Sequence, residues 1–217
     1  MDNATRLQYL EAMGIDVWLP RVSGNDEQAA VIEDSWETLQ AEVMGCLLCG
    51  LCETRNQPVF GSGNKNADWV FLGEAPGQSE DQQGLPFVGN AGQLLTEMLR
   101  AIDLDREQVF IANILKCHPP ANRDPKPSEI ETCKPYLLRQ LALIKPKIIV
   151  ALGRVSAQTL LDTDAPIGKL RGKIHALNET PVVVVYHPAH LLRAPLDKRK
   201  AWADLKLAVQ TVKNIKG

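Results

Sequence analysis

The residues of this chain with the most specific chemistry are its five cysteines. Cys46, Cys49 and Cys52 fall within the stretch Cys-Leu-Leu-Cys-Gly-Leu-Cys, while Cys117 and Cys133 stand far downstream. The start, Met1-Asp2-Asn3-Ala4, shows no basic n-region and no apolar h-region. A cytoplasmic location is therefore expected, where thiols are kept reduced, and an odd number of cysteines then argues for ligation or reactivity over a disulfide framework. Two close thiols plus two distant ones is the arithmetic of a four-thiolate site. Zinc and an iron-sulfur cluster both accept four thiolates, so spacing alone leaves the metal open, as it leaves open separate buried cysteines acting as small hydrophobes.

Other chemistry follows apolar runs. After residues 69–73 comes Gly73-Glu74-Ala75-Pro76-Gly77, then Glu80 and Gly84-Leu85-Pro86-Phe87-Val88-Gly89. Glycines and proline make a tight turn that can bring backbone amides to a ligand, although no dinucleotide fingerprint or Gly-Lys-Ser/Thr phosphate loop is present. Phe87 is either a core plug or an aromatic platform for a base. Residues 109–114 run into Lys116-Cys117 and a proline-rich loop that ends where Ser128 and Glu131 fit a capping box, which puts Cys133 in the second turn of a helix. Residues 182–186 run into His187-Pro188. A histidine at the end of a buried strand is placed for acid, anion-stabilising or metal-ligating work.

The elements that must position these groups are legible from periodicity. Residues 69–73, 109–114, 147–152 and 182–186 are continuous apolar runs, as strands covered on both faces should be. Helical spacing fills 91–102, 128–144, 154–161 and 198–215. The expected fold is a three-layer α/β domain with a four-stranded parallel sheet, whose ligands bind beyond the carboxyl ends of the strands. Residues 1–43 form an expected helical extension, with helices near 5–13 and 27–44, and the α/β domain takes 44–217. The longest apolar runs are strand-sized, so no membrane span is expected. Charge is segregated: residues 1–112 carry 6 Lys+Arg against 18 Asp+Glu, and 113–217 carry 18 against 8. A basic half of this kind suits a polyanion.

Taken together, Gly73 to Gly77, Gly84 to Gly89 with Ala91-Gly-Gln-Leu-Leu95, Asn113 to Pro120 with Asn122-Arg123, and His187-Pro-Ala with Leu191-Leu-Arg193 resemble the family-4 uracil-DNA glycosylases. The resemblance runs from about residue 44 to 214. It implies a [4Fe-4S] cluster on Cys46, Cys49, Cys117 and Cys133, structural in role, with Cys52 as the spare thiol.

The resemblance also implies an enzyme that flips uracil out of DNA into a pocket and hydrolyses its N-glycosidic bond. Phe87 would stack on the base, Asn113 would read its O4 and N3–H edge, and His187 would support the charge developing at O2. Gly73, Glu74 and Ala75 would complete the pocket. Family-1 enzymes hold an aspartate where this chain has Ala75, so Glu74, and after it Glu80, are the candidates to orient the water. Leu191 and Leu192 are candidates for an apolar wedge in DNA, and Arg193, Arg123, Arg171 and Lys173 for phosphate contacts. Some relatives form a covalent link to DNA through a histidine in a basic loop. Only His118 stands in that loop here, so hydrolysis without a trapped intermediate is expected. The rival readings are a non-catalytic DNA-binding iron-sulfur module, a glycosylase of wider base preference and a zinc protein.

Overall fold

The structure, a computed structural model, describes residues 35–216 and, ahead of them, residues 5, 9 and 12–14. The helix expected near 5–13 lies largely outside the described residues, and the second is described only from residue 35 on. There it is helix α1, Trp36–Met44, with the Ser35 side chain accepting from the Thr38 N–H as its N-cap. Trp36 meets Phe60 and Phe110 edge-on, at 5.2 Å between centroids in each case. Helix α1 packs within the compact unit Asp34–Gly217 that holds the sheet.

The strands are β1 (Ser62–Gly63), β2 (Trp69–Gly73), β3 (Phe110–Asn113), β4 (Ile148–Leu152), β5 (Ile174–Leu177) and β6 (Thr180–Val185). They form one 6-stranded sheet in the order β1-β3-β2-β4-β6-β5. The central strands β3, β2, β4 and β6 are parallel and coincide with the apolar runs. The edge strands β1 and β5 are antiparallel additions. Neither has an apolar run to betray it: β1 is two residues long, and β5 is only half-buried, in an alternating pattern.

Alternation along the buried strands builds two cores. Phe71, Ile111, Val150 and Val183 face α3 (Asn90–Arg100) and α8 (Lys198–Lys216), which follow α2 (Gln78–Gln83) and α7 (Pro188–Arg193) respectively in the chain. Val70, Leu72, Ala112, Ile149 and Val184 face α4 (Pro127–Ile144), α5 (Arg154–Leu161) and the short α6 (Ile167–Leu170). This is the expected three-layer sandwich. Helix α4 begins at Pro127, and its capping carboxylate is Glu129, which accepts from the Lys126 N–H; Ser128 and Glu131 do not form the box that their spacing suggested. Strand order reverses at β2, with β3 on one side and β4 on the other, so a ligand crevice is expected beyond Gly73 and Asn113. Among the described residues no helix is long and apolar enough to cross a membrane.

Candidate active site

A cavity of about 500 Å³ opens where that crevice is expected. Glu74, Ala75, Glu80, Phe87, Asn113 and His187 line it together, and Arg123, His190 and Arg193 stand at the same surface. Glu74 and Ala75 follow β2, Asn113 ends β3, His187 precedes α7, Glu80 lies on α2 and Phe87 in the loop after it.

Gly73 does not itself line the cavity but packs directly against two of its walls. A Cβ there would overlap Asn113 Oδ1 and lie 2.6 Å from Phe87 Cζ, so the amide and the ring occupy the space that any side chain would need. Phe87 itself sits at φ 54°, in the left-handed region that a bulky residue adopts only when its surroundings impose it. Arg106 imposes it by donating to the Phe87 carbonyl at 3.2 Å and the Pro86 carbonyl at 2.8 Å, and Gly92 leaves room for the Phe87 carbonyl. Asn113 is 2% exposed, and its Oδ1 is the one buried side-chain polar atom among the described residues with no hydrogen-bond partner. Such an orphan costs about 1–3 kcal/mol and calls for a donor brought by a ligand.

His187 lies 5.6 Å from Phe87 between ring centroids. Burial, with Arg193 adding, brings its pKa down from 6.5 to about 4, so the ring is neutral near pH 7. Its Nδ1 accepts from the Ala189 N–H at 3.1 Å. The proton of the neutral ring must then be on Nε2, which makes that nitrogen a donor.

The two glutamates differ in how they are engaged. Glu80 accepts from the backbone N–H groups of Gly77, Val88 and Gly89, so it ties the glycine-rich loop together. The Glu74 carboxylate makes no hydrogen bond among the described residues, and burial, reinforced by Asp124, raises its pKa. Of the two, Glu74 is the one left able to orient a water.

The expected DNA contacts divide as well. Leu191 is 1% exposed and belongs to the core under α7, so it cannot serve as a wedge. Leu192 is 45% exposed and Leu196, which the sequence did not single out, 93%. Arg171 is committed within the fold: its guanidinium pairs with buried Asp204 at 2.9 Å and donates to the Lys200 carbonyl, over the Tyr186 ring. Arg123 lines the cavity with its fork on Glu129. Arg193 and Lys173 are exposed.

The thiols gather on the opposite side of β3's end. Cys46, Cys49, Cys52, Cys117 and Cys133 line one narrow cavity with Arg55, Lys116 and Tyr136. Arg55 donates to Cys117 Sγ at 2.9 Å and to the Cys46 carbonyl at 2.7 Å, and the Lys116 N–H meets Cys133 Sγ at 3.3 Å. Among the described residues no three His, Cys, Asp or Glu side chains close around a point that one metal ion could occupy. A single zinc would need its sulfurs about 3.8 Å apart, from Zn–S bonds of about 2.3 Å in a tetrahedron. The five thiols therefore share a cavity in which no one-ion site is formed among the described residues. Sequence reasoning also missed Arg55, Arg106 and Lys116; for Lys116 the signal was a charge between Leu115 and Cys117, directly after the run of residues 109–114.

An α/β sheet whose switch-point cavity presents a ring, a buried amide and a neutral imidazole is a scaffold for holding a flat, uncharged heterocycle. The model of the uracil DNA glycosylase superfamily matches residues 60–206, and the chain belongs to that superfamily. Within it, the chain is similar to the type-4 uracil-DNA glycosylase of Archaeoglobus fulgidus, at 45% identity over 181 residues, 80% of this chain and 91% of that one. It is 46% identical over 182 residues to the type-4 enzyme of Sulfurisphaera tokodaii, covering 80% and 83% of the two chains. The type-4 enzyme of Thermotoga maritima is 43% identical over 163 residues, 74% of this chain and 85% of that one.

Proposed function

We propose that the chain is a DNA-repair uracil glycosylase in which Phe87, Asn113 and His187 hold the flipped base and Glu74 orients the attacking water. The observation that carries this reading is the orphan acceptor Asn113 Oδ1, buried in a cavity shared with an aromatic ring and a neutral imidazole. Uracil offers the missing donor at N3–H, and its O4 accepts from the amide nitrogen. Cytosine presents a bare N3 lone pair to Oδ1 and would leave both groups unpaired, which gives discrimination by hydrogen bonding.

As the C1′–N1 bond breaks, its electron pair goes to uracil, and the sugar gains positive charge. His187 Nε2–H donates to O2, where the charge collects, without first having to lose or gain a proton. Glu74 aligns water toward C1′ and accepts the proton that the water gives up; uracil and an abasic sugar are the products. Arg193 and Lys173 face phosphates, and Leu192 fills the stack that the base has left.

We also assign Cys46, Cys49, Cys117 and Cys133 as the ligands of an iron-sulfur cluster, with Cys52 beside them. Support comes from the similarity to the type-4 enzymes and from the gathering of these thiols around one cavity. Held by these four residues, a cluster would tie the segment ahead of the sheet to the loop after β3 and to helix α4, supplying a structural link and no part of the bond cleavage.

The test is free-uracil release from uracil-containing oligonucleotides by wild type, His187→Ala and Asn113→Ala. Loss of one preorganised donor costs about 10²–10³ in rate, so His187→Ala should fall by that much; Asn113→Ala should fall and also lose discrimination against cytosine. A wild type that binds uracil-containing DNA but releases no uracil would favour the non-catalytic module and sink the enzyme reading.

A further inference from the structure

Lys116 is 1% exposed and among the largest fully buried side chains of the molecule. Its Nζ donates to the Asn113 carbonyl at 3.0 Å and to Gln140 Oε1 at 2.6 Å. Gln140, fully buried on α4, passes the connection on through its Nε2 to the Phe60 carbonyl at 2.9 Å. The backbone of Lys116 is engaged at both ends as well: its N–H meets Cys133 Sγ, and its carbonyl accepts from the Val59 N–H at 2.7 Å. One residue therefore touches the cysteine cavity with its main chain and the residue bearing the orphan acceptor with its side chain.

We propose that Lys116 is the positioning residue for Asn113, gripping its carbonyl from behind so that the amide is held at the depth and angle a uracil edge requires. This rests on the glycosylase reading of the pocket. Past Asn113 the chain stays tied to β2 through the Ile114 and Leu115 N–H groups, which donate to the Gly73 and Glu74 carbonyls, while the Asn113 carbonyl itself is taken by the ammonium. Gln140 is the other jaw: it presents an acceptor to Lys116 from α4, the helix that also carries Cys133. The cysteine cavity and the base-reading amide are then one braced unit, with Lys116 as the brace.

The experiment compares wild type with Lys116→Met, Gln140→Leu and Gln140→Glu, the last retaining an acceptor for the ammonium. Four quantities are read: kcat and KM on a uracil-containing oligonucleotide, the inhibition constant of free uracil, and iron-sulfur absorbance per chain. A misplacement of about 1 Å costs about 10²-fold, so Lys116→Met should lose about 10²-fold in kcat and weaken free uracil by a similar order, while KM, set by phosphate contacts, moves by less than about threefold. Absorbance per chain should hold. Gln140→Leu should move the same two quantities in the same direction, and Gln140→Glu should restore them. Wild-type uracil inhibition in Lys116→Met, or losses that merely track lost absorbance, would overturn the proposal. Should Lys116→Met fail to fold, Gln140→Leu decides by the same criterion. An active wild type beside unaffected variants defeats this inference alone; an inactive wild type defeats the glycosylase reading and this inference with it.

Discussion

Gly73→Ala tests the base pocket with a single methyl group. The added carbon would stand 2.6 Å from Phe87 Cζ and 2.8 Å from Cε2, where ordinary contact begins at 3.4 Å, and it would overlap Asn113 Oδ1 outright. The ring must therefore withdraw by about 0.8 Å, and the amide by more. Neither can move freely. Phe87 is fixed in the left-handed region by the Arg106 clamp, and Asn113 ends a paired strand. Displacements near 1 Å in a positioned constellation cost about 10²-fold in rate, and overpacking a tight interior costs about 1–3 kcal/mol. The expected result is a chain that folds with a lowered melting temperature, binds abasic DNA like wild type, loses about 10²-fold in uracil release, and binds free uracil weakly. Single-turnover excision, uracil inhibition and a thermal melt together check it. Near wild-type excision by a folded Gly73→Ala chain would refute the view that ring and amide clasp the base from above this glycine.

Glu74→Gln carries two opposed expectations. Burial raises the Glu74 pKa above its unfolded value of 4.5, so the stability it contributes is present below that pH and is lost as pH rises through the folded pKa. The variant should therefore melt higher than wild type at pH 7–8 and like it near pH 4, while excision falls by about 10²–10⁴-fold, the usual weight of a positioned base. In wild type the acid limb of kcat should lie above 4.5, where Glu74 takes a proton. His187 becomes charged only near its pKa of about 4, so the residual activity of Glu74→Gln should lack the higher limb. A variant that keeps the wild-type limb would assign that limb elsewhere. Among the thiols, Cys49→Ser should lose iron per chain and visible absorbance and Cys52→Ser should keep both; the reverse pattern would exchange their roles.

The parallel core was readable because strands buried on both faces must be continuously apolar: 69–73, 109–114, 147–152 and 182–186 each hold one of the central strands. The edge strands escaped because Ser62-Gly63 is too short to show a pattern and Ile174 to Leu177 is half-buried. Gly73, Glu74, Ala75, Phe87, Asn113 and His187 could be singled out because special residues follow apolar runs there and because the motifs resemble a known family. What could not be read was commitment. Nothing in the sequence says that Arg171 is taken up by Asp204, that Glu80 holds three backbone amides, or that Leu191 points inward while Leu192 points out. Those facts depend on side-chain direction at a helix end or in a loop, which periodicity does not encode. Arg106 was hidden for a similar reason, since it acts on the main-chain carbonyls of Pro86 and Phe87 in a distant loop.

The left-handed backbone at Phe87 limits how this gene can drift. A side chain branched at Cβ is poorly tolerated at such a torsion, so valine, isoleucine and threonine are disfavoured at codon 87 before any question of shape arises. Glycine and asparagine would relax the torsion but bring no ring. The accessible neighbours are thus the few unbranched flat residues, exchange among which would leave the loop's course unchanged.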